Sequence, residues 1–218
     1  MHLRRFLPAI MAVVVAHLPA WLPAAQAETA LQQLDSLLND ITTLSADVEQ
    51  LIVESDGGVL EQSQIRLHLK KPDGFYWETI TPFPELIVTN GELLWNYQPD
   101  LEQVVIENWS EQRSELAAQL LSGNTDDLEL EYAIELAETS GAELVEFNLT
   151  PLASDSVYAN ITISFVDAEL DMIHLRHKNG EQTVWRFNAV QRNQPLADSL
   201  FEFDPPAGIE VIENTYVD

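Results

Sequence analysis

The chain has 218 residues, no cysteine, and 36 acidic against 10 basic side chains, for a formal net charge of −26. That charge repels nucleic acid and anionic lipid surfaces. The missing cysteine excludes disulfides, thiolate catalysis and lipoprotein-type anchoring, which needs a cysteine directly after a leader's cleavage site.

At the N-terminus, Arg4 and Arg5 precede an apolar run from Phe6 to Leu22 that closes on Ala25-Gln26-Ala27. A basic n-region, an apolar h-region and an A-x-A site read as a secretory signal peptide over residues 1–27. Pro8, His17, Pro19 and Pro23 interrupt the run and argue against a membrane anchor. The exported product would be one domain over residues 28–218, with eight basic side chains against 36 acids and a formal charge of −28. No later segment approaches the roughly 18 continuous apolar residues of a spanning helix.

Residues 30–44 place Leu31, Leu34, Leu38 and Ile41 on one stripe, widened by Leu37 and Leu44, which predicts an amphipathic helix with one face to bury. The period then changes to two. Ile65, Leu67 and Leu69 alternate with polar residues, as do Val145, Phe147 and Leu149, then Ile161, Ile163 and Phe165, then Trp185, Phe187 and Ala189, and finally Phe201 and Phe203. Such alternation marks antiparallel strands with one apolar face. Turn signals at Asp56-Gly57-Gly58, Pro72-Asp73-Gly74, Asn90-Gly91, Pro99-Asp100, Ser140-Gly141 and Asn179-Gly180 separate them.

Eleven strands are predicted, over 46–55, 59–70, 75–80, 85–89, 92–98, 101–107, 129–138, 142–150, 157–166, 171–178 and 181–191. A short helix over 110–121, carrying Leu116, Leu120 and Leu121, interrupts them. The expected fold class is mainly β with α: an incomplete, half-open antiparallel β-barrel of about eleven strands, with a helical lid over its concave apolar face.

Signatures of catalysis are missing. The chain has no G-x-S-x-G, Walker loop, H-E-x-x-H or G-x-G-x-x-G, and no cofactor or metal is expected. His174 and His177 lie three apart on a strand and so point to opposite faces, while His68 falls on a polar face and is expected to be solvated. The reading is not an enzyme, although a carboxylate pair among the 36 acids leaves a secreted hydrolase on a barrel scaffold as an alternative. A carrier or sensor of free lipid or glycolipid is another. Apolar positions that would line an internal cavity are more informative.

Four stretches in order resemble one family: the helix at 30–44, the block KKPDGFYW at 70–77, the run IVTNGELLWNYQP at 87–99 and FEFDPPAGI at 201–209. Together they resemble the periplasmic outer-membrane lipoprotein carrier proteins, the LolA family, from about Glu28 to Glu213. The resemblance implies a monomeric carrier in the Gram-negative periplasm whose cargo is acylated lipoproteins. It would load from an inner-membrane ABC transporter and deliver to an outer-membrane receptor lipoprotein. The receptor is itself lipid-anchored, so a chain without cysteine fits the carrier.

The acyl-chain cavity implied by the resemblance would be lined by Leu34, Leu38 and Ile41 of the first helix, and by Leu116 and Leu120 of the second. From the sheet it would take Leu67, Leu69, Phe75, Trp77, Val88 and Trp95, then Phe147, Ile163, Phe165, Trp185 and Phe187. In the family the second basic residue before the proline is usually an arginine that latches the lid. Here it is Lys71, which keeps the charge but lacks the planar guanidinium fork. This predicts a looser latch, or one in which Arg66 or a lid carboxylate changes partner. Lys71 and Phe75 are also expected to meet partner proteins at the cavity mouth.

Overall fold

The computed structural model describes residues 28–109, 120–121, 125–138, 141 and 143–214. The expected leader, Leu116 and most of the helix expected at 110–121 lie outside them. Helix α1 (Ala30–Asn39) begins at a capping box, where Thr29 Oγ1 accepts from the Gln32 N–H and the Gln32 side chain accepts from the Thr29 N–H. The helix is shorter than the apolar stripe predicts. Asp40 caps it, and Ile41, Thr42 and Thr43 follow as a β-branched run that disfavours helix and starts a strand. Ile41 and Leu44 are still buried, but from the connecting turn and from β1.

Twelve strands form one sheet: β1 (Thr43–Val53), β2 (Val59–Lys70), β3 (Gly74–Thr81), β4 (Glu85–Thr89), β5 (Leu93–Gln98), β6 (Gln103–Asn108), β7 (Tyr132–Leu136), β8 (Leu144–Pro151), β9 (Tyr158–Val166), β10 (Glu169–His177), β11 (Gln182–Arg192) and β12 (Glu210–Asn214). Their order is β12-β6-β5-β4-β3-β2-β1-β11-β10-β9-β8-β7, so the barrel remains open between β12 and β7. Every pairing is antiparallel except that of β12 with β6.

Four local readings of the sequence change. Helix α2 (Thr125–Glu131) takes the first three residues of the strand predicted at 129–138. Strand β12, not predicted, adds in parallel to β6 with Val211 beside Val104. Phe201 ends a 3-10 turn (Asp198–Phe201), and Phe203 follows in a non-repetitive segment, so this pair is not a strand. Alternation in β11 stops at Phe187: Ala189 adopts φ 50° where the register to β1 shifts between Ser45 and Asp47, and Val190 packs on the core in its place.

The sheet carries a core on each face. The larger fills the inner face and takes Leu34 and Leu38 of α1 together with Leu120, Leu121 and Leu128. The smaller, on the outer face, joins Val88, Trp95 and Val104 and is covered by Phe203 and Ile209 of the C-terminal segment.

Candidate functional site

Strand parity decides which side chains meet. Inward positions run Leu44, Ala46, Val48 on β1, Ile65, Leu67, Leu69 on β2, Phe75, Trp77 on β3 and Phe187, Trp185 on β11. Strands β8 and β9 add Phe147, Leu149, Ile161, Ile163 and Phe165, with Phe147 and Phe165 meeting edge to face at 6.0 Å. Of the expected cavity residues, Leu34, Leu38, Ile41, Leu67, Leu69, Phe75, Trp77, Leu120, Phe147, Ile163, Phe165, Trp185 and Phe187 fall in this one cluster.

Val88 and Trp95 do not. They sit opposite each other across β4 and β5 at positions out of phase with Ile87 and Leu94, and so belong to the outer-face core. Phe75, expected as a partner contact at a mouth, is only 3 % exposed and stacks on Trp77 at 6.1 Å.

Helix α1 lies on this apolar floor with Leu34 and Leu38 fully buried, and it touches β7 and α2. Burying each of these leucines contributes about 1.5–3 kcal/mol. At its C-terminal end the Lys71 ammonium donates to the Leu38 carbonyl at 2.7 Å. A cation on the last carbonyls complements the helix dipole, and the last turn of α1 carries no basic residue of its own. Burial pulls the Lys71 pKa down, and the nearby Asp35 carboxylate opposes that shift.

Lys70 reaches the other way, donating to the Leu196 carbonyl at 3.1 Å and pairing with Asp198 in the C-terminal turn. Arg66 pairs with Glu78 at 2.8 Å, while Lys71 itself makes the contact to the Leu38 carbonyl.

The inner face changes character along the strands. Beyond the T-shaped pair of Trp77 and Trp185, whose ring centroids are 5.4 Å apart, inward positions become Gln50, Glu61, Ser63, Thr79, His177 and Thr183. All but Ser63 border an open chamber of about 450 Å³ with Ile52, Ile87 and Leu175 in its wall and Phe83 exposed at its rim. Trp185 Nε1 donates to Gln50 Oε1 at 2.7 Å, Gln50 and Ser63 both donate to Glu61, and Gln98 donates to Glu85 at 3.1 Å. Asn96 Oδ1 and His177 Nε2 are buried without a hydrogen-bond partner. The sequence signal for this end was present: continuing the parity of each apolar run by one or two steps gives these polar positions.

The histidines separate as strand geometry requires. His177 faces the chamber, while His174 hydrogen-bonds Gln182 at 2.9 Å. His68 departs from the solvated expectation. It is half-buried, shares a hydrogen bond of 2.8 Å with Ser45 Oγ and packs on Tyr76, and burial followed by Arg66 lowers its pKa. Burial, reinforced by Glu78, pushes Tyr76 up to about 12. Among the described residues no cluster could hold a metal ion, and no helix is long and apolar enough to cross a membrane.

The family model described as "Outer membrane lipoprotein carrier protein LolA" matches residues 39–204. The chain belongs to the LolA family. Among its relatives within that family, an outer-membrane lipoprotein carrier protein from Hahella chejuensis is 36% identical over 179 residues, 82% of this chain and 86% of that one. A protein of the same name from Pseudomonas aeruginosa is 34% identical over 194 residues, covering 89% and 92% of the two chains. An uncharacterized conserved protein from Thermus thermophilus shares the fold, with a TM-score of 0.56 and 13% identity over 84% of this chain and 100% of that one.

Proposed function

We propose that this LolA-family chain is a non-enzymatic periplasmic carrier. It would be exported by a cleaved leader over residues 1–27 and shield the acyl chains of lipoproteins as a monomer. Its proposed route runs from an inner-membrane ABC transporter to an outer-membrane receptor lipoprotein. The observation that carries this reading is the inner face itself: an apolar floor closed by two leucines of a short helix and continuous with an open chamber of about 450 Å³.

The physical problem fits that shape. Each methylene of an acyl chain gains about 0.8 kcal/mol on leaving water, so a lipoprotein does not cross an aqueous compartment unaided. A carrier must also release its cargo. Leu34 and Leu38 occupy the apolar floor when α1 is seated, and closure of the helix over the empty cavity competes with acyl chains for the same surface. That competition lowers apparent affinity without requiring a poorly shaped cavity. Lys71 is the proposed latch of the closed form, acting through its bond to the Leu38 carbonyl.

Native mass spectrometry of the protein purified from a bacterial envelope tests the proposal. Co-purifying triacylated lipoprotein is the expected result. Free lipid alone would instead make the chain a lipid carrier, and no lipidic ligand at all would remove the carrier reading.

A further inference from the structure

The chamber beyond Trp77 and Trp185 is only partly apolar, so an acyl tail alone does not match its whole wall. Its wall carries two carboxylates, Glu61 and Glu85, and neither has an ion-pair partner among the described residues. Their hydrogen bonds come from neutral groups: Gln50 and Ser63 for Glu61, and Gln98 for Glu85. Asn96 Oδ1, a pure acceptor, is buried and unsatisfied beside them, and His177 Nε2 on β10 is buried without a hydrogen bond, with Glu181 Oε1 3.9 Å away. Buried polar atoms in folded proteins are nearly always paired, and unpaired ones in a cavity wall are positions a ligand can satisfy. Every one of these side chains projects from a strand rather than a loop, so the arrangement is held by the sheet register.

We propose that this end of the inner face is a head-group subsite, which takes the donor-bearing, neutral or cationic polar end of an acylated ligand and rejects carboxylate and phosphate ends. Ile52, Ile87, Leu175 and the two tryptophans receive the first methylenes, and Glu61, Glu85 and Asn96 accept from N–H groups above them. An anionic head would face two carboxylates in a half-enclosed site, where like charges repel far more strongly than in open water. The proposal rests on the carrier reading and deepens it. In an acylated polypeptide the group beside the tails is rich in amide N–H donors, whereas free fatty acids and anionic phospholipids present acceptors and negative charge. The subsite would make the carrier selective for its cargo over the surrounding membrane lipid.

Competition binding separates the two ideas. Hexadecanamide, hexadecylammonium and hexadecanoate each displace a neutral fluorescent apolar probe from the mature chain at low salt. The amide and the ammonium are expected to bind at least about tenfold more tightly than the carboxylate. In Glu61→Gln/Glu85→Gln, checked for folding by its melting curve, the ammonium-to-carboxylate ratio should fall below about threefold. Asn96→Leu supplies a second readout: it removes an unsatisfied buried acceptor, so the melting temperature should rise while amide affinity drops severalfold. Equal affinity of all three amphiphiles for the unaltered protein would overturn the subsite and leave the carrier reading standing, as would a ratio that survives in the folded double variant. Failure of the probe and all three amphiphiles to bind would overturn both.

Discussion

Replacing Lys71 with leucine removes the charge-assisted hydrogen bond from its Nζ to the Leu38 carbonyl while retaining an apolar stem just past the end of β2. A hydrogen bond from a charged donor contributes about 1.5–3 kcal/mol. Lys71 is only half-buried, and burial already lowers its pKa, so solvent screening reduces the loss to about 1–2 kcal/mol. That cost falls on the seating of α1 rather than on the sheet, because the bond joins the end of β2 to the end of the helix. Hydrogen exchange at the α1 amides should therefore accelerate roughly 5–30-fold, with β1, β2 and β11 protected as before. If closure of α1 competes with cargo, the same free energy appears as tighter apparent cargo binding, and transfer to receptor-bearing vesicles should slow by a similar factor. Lys71→Arg keeps both charge and donor and should behave like the unaltered protein. Unchanged α1 exchange in Lys71→Leu would refute the latch, and equal acceleration in every strand would show a global stability effect instead.

Two further outcomes test other parts of the structure. His68 is held neutral by burial, with Arg66 lowering its pKa and Glu78 and Asp47 opposing, so the folded state binds fewer protons than the unfolded one below about pH 6.5. Its contribution to stability is complete above that pH and is lost as pH falls through the lowered folded value. Relative to His68→Asn, the unaltered protein should lose melting temperature between pH 7 and pH 5, and parallel curves would refute this. Trp95 lies in the outer-face core, so Trp95→Ala should destabilise by about 3–5 kcal/mol in urea melts, whereas Trp77→Ala should also weaken binding of an acyl probe. Loss of probe binding in folded Trp95→Ala would contradict the face assignment.

Most of the sheet was legible because its physics is local. A glycine-bearing turn and a period of two are properties of a few adjacent residues, and β2 and β4 appear over the ranges that alternation predicts. The errors fall where a partner distant in sequence decides the outcome. Val88 and Trp95 look like any inward aromatic or aliphatic pair until the C-terminal segment brings Phe203 and Ile209 to the outer face and makes a second core there. Strand β12 is five residues of ordinary polarity whose partner, β6, lies about a hundred positions earlier. The polar end of the inner face was missed for a different reason: hydrophobic periodicity finds apolar runs and stops where they stop, and the residues that continue the parity carry no apolar signal.

The block at 70–77 shows how a motif is read while its partners stay hidden. Adjacent lysines at a strand end, in a chain this acidic, were legible as unusual, but not as two tethers pulling on different elements. Lys71 holds the end of α1, and Lys70 holds the C-terminal turn through Leu196 and Asp198. The turn between them and Gly74 packs so closely that a Cβ on Gly91, itself at φ 92°, would lie 2.5 Å from Asp73 Cβ. A Cβ on Gly74 would stand 3.1 Å from the Phe201 ring. One short connection therefore joins the helix over the inner face to the segment over the outer face. The seating of α1 and the C-terminal cover thus share one anchoring block, with Lys71 and Lys70 making contacts toward both sides of the sheet.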